Sequence, residues 1–238
     1  DTGTPVTFKL NVGIGEVIGG PAFTEVVLNA VTNRSTAKIT TKGRGTEVTI
    51  GKFTANGSMN KITAKTTNVE GDIHVKGTLR RGAQFQHVYG PVELRVDQWE
   101  GKRQMKLKFA DVYGLSIASA APIGSFFANH VSAVNDVVGN WELPFIKKLK
   151  TAASFAANVT LLSTSVKKSI ASVNIGQWLQ DSMFDAPNTI GTMKLGGARN
   201  SRVLVGMRDE FVNAVPGTRA TIDDFDNDQA MIKKFLLR

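Results

Sequence analysis

The sequence predicts an all-β chain wound into a right-handed parallel β-helix of roughly ten coils, with an N-terminal capping segment. Three observations carry this expectation. One phrase recurs at a near-constant period. Its apolar residues alternate as a strand requires. Long segments of helical period are nearly absent.

The phrase is Ile-x-x-apolar-x-(small or apolar). "IGKFTANG", from Ile50, and "IGSFFANH", from Ile123, share five of eight positions. The pattern returns as "IKKLKT" at Ile146, "IASVNI" at Ile170, "IGTMKL" at Ile190 and "IKKFLL" at Ile232. The gaps are 73, 23, 24, 20 and 42 residues. Reading 73 as three steps and 42 as two makes every step about 20–24 residues, the period of a solenoid. The apolar pair at i+3 and i+5 is strand alternation. The leading Ile would face the opposite side of a straight strand, so a bend at residues such as Gly51, Gly124, Ser125, Ser172 or Gly191 must turn it inward. Ile50, Phe53, Ile123, Phe126, Ile146, Leu149, Ile170, Val173, Ile190 and Met193 are the expected core ladder.

Further short strands lie between the copies. "GDIHVKG", "VELRV", "MKLKFADV", "ANVTLL" and "SRVLVG" all alternate, with turns every 6 to 10 residues and 23 glycines to 7 prolines. "HVSAVNDVVGNW" reads as a turn or two of helix from Val131, Val134 and Val138. A sandwich or barrel also has many short strands but needs no period of about 22 residues, so the repeat favours the solenoid. We expect residues 1–45 to supply the N-terminal cap or edge strands and residues 46–238 the coils. The last ~30 residues should be irregular or a second cap.

"IGSFFANH", "LSIASAAPIGSF", "MNKITAKTTNVEGDIHVKGTL" and "NTIGTMKLGGARNSRVLVG" resemble the degenerate coils of large secreted bacterial right-handed β-helix proteins. The resemblance covers about residues 45 to 206. It implies an extracellular or cell-surface protein and says little about activity.

Length and composition agree with a folded β protein. A chain of 238 residues can bury roughly 70–75% of its unfolded surface. With 42% apolar and 21% charged residues it falls outside the disordered range. No apolar run approaches the ~20 residues of a membrane helix. The chain begins at Asp1 rather than Met, from which we expect a mature chain or an excised part of a larger parent protein. The absence of cysteine excludes disulfides, thiolate metal sites and Cys nucleophiles.

The net charge of +9 favours acidic partners: nucleic acid, an anionic polysaccharide or an anionic cell surface. The basic residues are spread in small clusters, read here as solvated groups on outward strand positions. No motif for specific nucleic-acid binding accompanies them.

No catalytic, cofactor or metal site is expected. "GLSIAS" lacks the second glycine of a nucleophile elbow. "GIGEVIGG" has the wrong spacing for a dinucleotide fingerprint and reads as a Gly-rich turn. His74, His87 and His130 are far apart, and His74, between Ile73 and Val75, faces outward. Two acidic pairs lie about one period apart, Glu70 with Glu93 and Asp72 with Asp97. Stacked on adjacent coils, each would form a two-carboxylate cluster of the kind that binds a cation or raises one pKa. Asp224, Asp226 and Asp228 alternate as at the start of a calcium loop, but Gln229 and Phe235 stand where that loop needs Gly and Glu.

The expected function is a non-enzymatic extracellular or cell-surface structural, adhesive or assembly module. The alternative is a carbohydrate-active enzyme or acidic-glycan binder. An open solenoid end exposes unpaired strand groups. "VTFKLNV", which alternates Val6, Phe8, Leu10 and Val12, should either cap its own first coil or add to a neighbouring subunit, giving head-to-tail association.

Overall fold

The computed structural model describes residues 6–19, 23–43, 46–101, 103–207 and 230–237. Among them every regular element is a strand. One ten-stranded sheet orders β1 (Val6–Leu10), β4 (Thr36–Thr41), β6 (Lys61–Ala64), β9 (Gly82–Phe85), β11 (Met105–Lys108), β14 (Ile123–Ala128), β17 (Ile146–Thr151), β19 (Lys168–Gln180), β21 (Thr189–Arg199) and β23 (Ile232–Leu237). An eleven-stranded sheet orders β2 (Ile14–Ile18), β3 (Phe23–Asn29), β5 (Val48–Ala55), β8 (Ile73–Val75), β10 (Val92–Val96), β13 (Leu115–Ser119), β16 (Gly139–Leu143), β18 (Ala157–Leu161), β20 (Met183–Ala186) and β22 (Arg202–Val205), with β7 (Thr67–Val69) beside β5. A short third face pairs β12 (Asp111–Tyr113) with β15 (His130–Ser132).

From β3 onward the chain visits the two large sheets in turn and pairs only in parallel between successive coils. This is a β-solenoid of about eight turns. Two features bring the number below the expected ten. The first two strands reverse, β1 lying antiparallel on β4 and β2 antiparallel on β3. The 42-residue step from Ile190 to Ile232 is a single rung, since these residues are register partners.

The ladder forms as the repeat requires. Ile123, Ile146, Ile170, Ile190 and Ile232 are consecutive register partners, as are Phe126, Leu149, Val173, Met193 and Phe235. All ten residues of the expected core ladder are buried. The bend inside the phrase is visible where Met105 pairs Ile123 but Leu107 pairs Phe126, so between these two pairs β14 holds one more residue than β11. That extra residue puts Gly124 and Ser125 both outward, between inward Ile123 and Phe126. It is a bulge, the device that bends a strand while keeping its ends in register.

The opening copy at Ile50 needs a correction. Its strand β5 belongs to the eleven-stranded sheet, whereas β14 and the later copies belong to the ten-stranded one. The phrase encodes two outward residues between inward ones, a pattern both sheets use. Ile50, Phe53 and Ala55 of β5 pair backwards with Phe23, Val26 and Leu28, an earlier copy inside the first 45 residues.

Two local expectations also change. "HVSAVNDVVGNW" forms β15, a tight Val134–Val137 antiparallel bridge and the start of β16. Asn135 and Asp136, with φ of 49° and 62°, sit in the left-handed region that a helix cannot use. "GIGEVIGG" is strand β2 between two turn glycines, Gly13 and Gly19, at φ 108° and 131°. "VTFKLNV" forms β1 on its own chain, with Val6, Phe8 and Leu10 packed against the core.

The core is one continuous cluster running the length of the stack. At its centre six rings follow one another from coil to coil: Phe85, Phe109, Phe126, Trp141, Phe155 and Phe184, with successive centroids 6.4, 5.7, 4.6, 5.1 and 5.6 Å apart. The indole N–H of Trp141 donates to the Leu115 carbonyl at 2.9 Å, so the largest core side chain buries no orphan donor. Coils pack closely enough that Gly82, at φ 95°, has no room for a Cβ against the Lys106 backbone.

Candidate functional site

The outer face of the ten-stranded sheet is set apart by its charge. Its strands carry Lys9, Lys38, Lys61, Lys106, Lys108, Lys147, Lys148, Lys150, Lys168, Lys194, Arg199, Lys233 and Lys234, and no Asp or Glu. Alternation explains the placement. Inward positions must be apolar, so each strand has only its outward positions for charge. Parallel register then stacks those positions into rows. One row runs through Lys9, Lys38, Thr63, Gln84, Lys108, Phe127, Lys150, Asn174, Lys194 and Leu236, one residue from each of the ten strands.

The middle of this face is a groove of about 970 Å³. Lys61, Lys106, Lys108, Lys147 and Lys148 line it, with Arg80, Arg81 and Arg103 on the flanking turns. The ammonium groups of Lys108 and Lys150 lie 5.6 and 5.9 Å from the centre of the Phe127 ring on the rung between them. Such cation–π contacts hold flexible lysine heads in place. Among the described residues, no ion pair uses a Lys or Arg of this sheet. The pairs lie elsewhere: Lys52 with Glu25, Arg95 and His74 with Asp97, and His87 with Glu47 and Asp111. A face of solvated, uncompensated cations is a ready surface for a polyanion.

The acidic pairs fall differently from their spacing. Leu94 pairs Ile73, and the Glu93 backbone N–H donates to the Asp72 carboxylate at 2.9 Å. Glu93 therefore stacks beside Asp72 and not beside Glu70, because this coil is 21 residues long. Asp97 is bound instead by His74 Nε2 at 2.8 Å and Arg95 Nε at 2.9 Å. Burial pushes its carboxyl up, but these two donors together outweigh that and hold it below the usual carboxylate value.

His87 and His130 were unconnected in sequence, yet both lie on the narrow third face. There His87, Tyr89, Tyr113 and His130 form an outer ring stack with centroids 5.4, 5.6 and 6.1 Å apart. Burial raises the Tyr89 hydroxyl, helped by the negative charges of Glu47, Asp111 and Glu70. His74 is outward on β8, and Ser116 of "GLSIAS" accepts from the Asn140 backbone at 3.1 Å. Asp224, Asp226 and Asp228 lie outside the described residues. Among the described residues no three His, Asp or Glu side chains are grouped to hold a metal ion.

Comparison with known proteins finds no matching family model, no matching curated protein and no matching solved structure.

Proposed function

We propose that this chain is a non-enzymatic structural and adhesive module that works outside the cell and binds an anionic polymer through its ten-stranded sheet. One observation carries the reading: every charged residue in those ten strands is Lys or Arg. The resemblance of its coils to those of secreted β-helix proteins supports the location.

The test is salt-dependent retention on heparin, pectin and neutral dextran. The wild type should be held by both acidic matrices and pass through dextran. Substituting Lys106, Lys108, Lys148 and Lys150 by Gln should lower the slope of log affinity against log salt, by at most roughly 0.7 per lost contact, the value for single-stranded nucleic acids. Equal retention of the variant would remove this role from the sheet. Incubation with the same polysaccharides should yield no cleavage products. Turnover abolished by Glu93→Gln would promote the carbohydrate-active alternative.

A second reading, end-to-end self-association, is favoured by apolar side chains on the outermost of the described rungs. Ile14 of β2 is 67% exposed, and Phe235 and Leu237 of β23 are 51% and 63% exposed although they occupy inward ladder positions. Sedimentation velocity should show larger species with rising concentration, lost when Phe235 and Leu237 are changed to Ser. A wild type that stays monomeric throughout would rule this reading out.

A further inference from the structure

The central row of the basic sheet alternates. Gln84, Lys108, Phe127, Lys150, Asn174 and Lys194 are register partners on six successive strands, uncharged and cationic by turns. Strands in a sheet lie about 4.8 Å apart, so the cations recur every ~9.6 Å along the solenoid axis. The neighbouring row keeps step in this region. Lys106 shares β11 with Lys108, and Lys148 shares β17 with Lys150. Between and after these strands, Ser125 of β14 pairs Lys106 and Ser172 of β19 pairs Lys148.

This spacing selects among polyanions. A nucleic-acid strand in a duplex carries one charge per about 3.4 Å, far denser than the row. An extended polysaccharide advances by about one rung per sugar, so a chain acidic at every sugar would set half its charges over uncharged rungs. A chain acidic at every second sugar matches the row. Its neutral sugars would then lie over Phe127 and Asn174. The amide of Asn174, with the hydroxyls of Ser125 and Ser172, offers donors and acceptors for sugar hydroxyls there. Phe127 acts as a positioning residue, holding the ammonium heads of Lys108 and Lys150 on the rungs to either side.

We propose that the ten-stranded sheet binds a linear acidic polysaccharide with one charge per disaccharide, laid along the solenoid axis with its acid groups on Lys108, Lys150 and Lys194. The proposal rests on the sheet being a polyanion surface and adds the charge spacing of the ligand. The probes are hyaluronan, in which every second sugar is a uronate, polygalacturonate, in which every sugar is one, and double-stranded DNA. At physiological salt the wild type should bind hyaluronan at least about tenfold tighter than either, the scale of one charge-assisted hydrogen bond. Exchanging one rung's charge with its neighbour, Lys150→Asn together with Asn174→Lys, preserves net charge and breaks the spacing. It should weaken hyaluronan binding about tenfold and change the other two less than about twofold. A second variant, Phe127→Lys, fills an uncharged rung and should shift preference toward polygalacturonate. Tighter wild-type binding to polygalacturonate or DNA, or hyaluronan affinity that neither variant changes, would overturn the proposed spacing while leaving the basic sheet a polyanion surface. If Lys108→Gln, Lys150→Gln and Lys194→Gln combined leave every probe bound as before, the sheet itself is not the binding surface.

Discussion

The ten-stranded and eleven-stranded sheets are alike inside and opposite outside. Both turn an apolar ladder toward one shared core, and both contain an Ile-x-x-apolar-x-apolar strand, in β5 on one side and β14 on the other. Outward, the ten-stranded sheet has basic residues alone. The eleven-stranded sheet carries Glu16, Glu25, Glu93, Glu142 and Asp185 against Lys52, Arg95 and Arg202. A solenoid constrains its interior tightly and its exterior hardly at all, so outward rows can take whatever charge a partner demands. Holding like charges about 9.6 Å apart in water costs only ~0.4 kcal/mol per pair and is further screened by salt. The alternating stretch of the central row is therefore cheap in stability.

Inward against outward is the contrast with the largest expected effect. Ile146→Asp places a charge where the side chain is fully buried and should cost more than about 4 kcal/mol. Lys147→Asp, one residue on and exposed, should stay within about 0.5 kcal/mol. Denaturant unfolding of the pair measures both. Similar midpoints would mean that the ladder does not hold the fold.

One acid placed on the basic sheet should be felt by the ligand and not by the fold. Ser125→Glu, in the row beside Phe127, should lower polyanion affinity about tenfold. Glu25→Gln on the other sheet should leave affinity unchanged. Both should melt within a few degrees of wild type. Equal loss of binding from the two would erase the functional difference between the sheets.

The smallest effect concerns pH, and it belongs to the eleven-stranded side. Asp97 has its folded pKa held below the unfolded value of about 3.9. Its contribution is present above the unfolded value and lost as pH falls through the lower folded one. Asp97→Asn should therefore cost less than about 1 kcal/mol at neutral pH, given partial exposure, and nothing in strong acid. Unfolding at pH 7 and pH 2 tests this. A difference that persists in acid would show that the carboxylate charge is not its source.

Much of the fold was legible because a solenoid writes its contacts at a fixed separation. Ile123, Ile146, Ile170 and Ile190 stand about one period apart and meet rung on rung. Ile50 misled because the pattern is a local feature and its phrase does not say which sheet contains it. Glu70 and Glu93 misled because turns differ in length, so a spacing of 23 residues is not a register. The basic face was in view without being recognised. Its lysines looked scattered along the chain, yet scatter near the coil period is what concentration on one face looks like in one dimension. The narrow ring stack was harder to see, because His87, Tyr113 and His130 share no phrase and come together only through the Val88, Val112 and Val131 ladder beneath them.

The row of rings inside the stack has an optical consequence. Of the three tryptophans, Trp141 is 1% exposed, while Trp99 and Trp178 are 41% and 51% exposed. Trp141 touches Phe126 on one coil and Phe155 on the next. Trp99 and Trp178 already meet water over about half their surface, so unfolding changes their surroundings less. The larger part of a red shift on unfolding should therefore come from Trp141, a lamp at mid-stack whose colour reports whether neighbouring turns are still in contact.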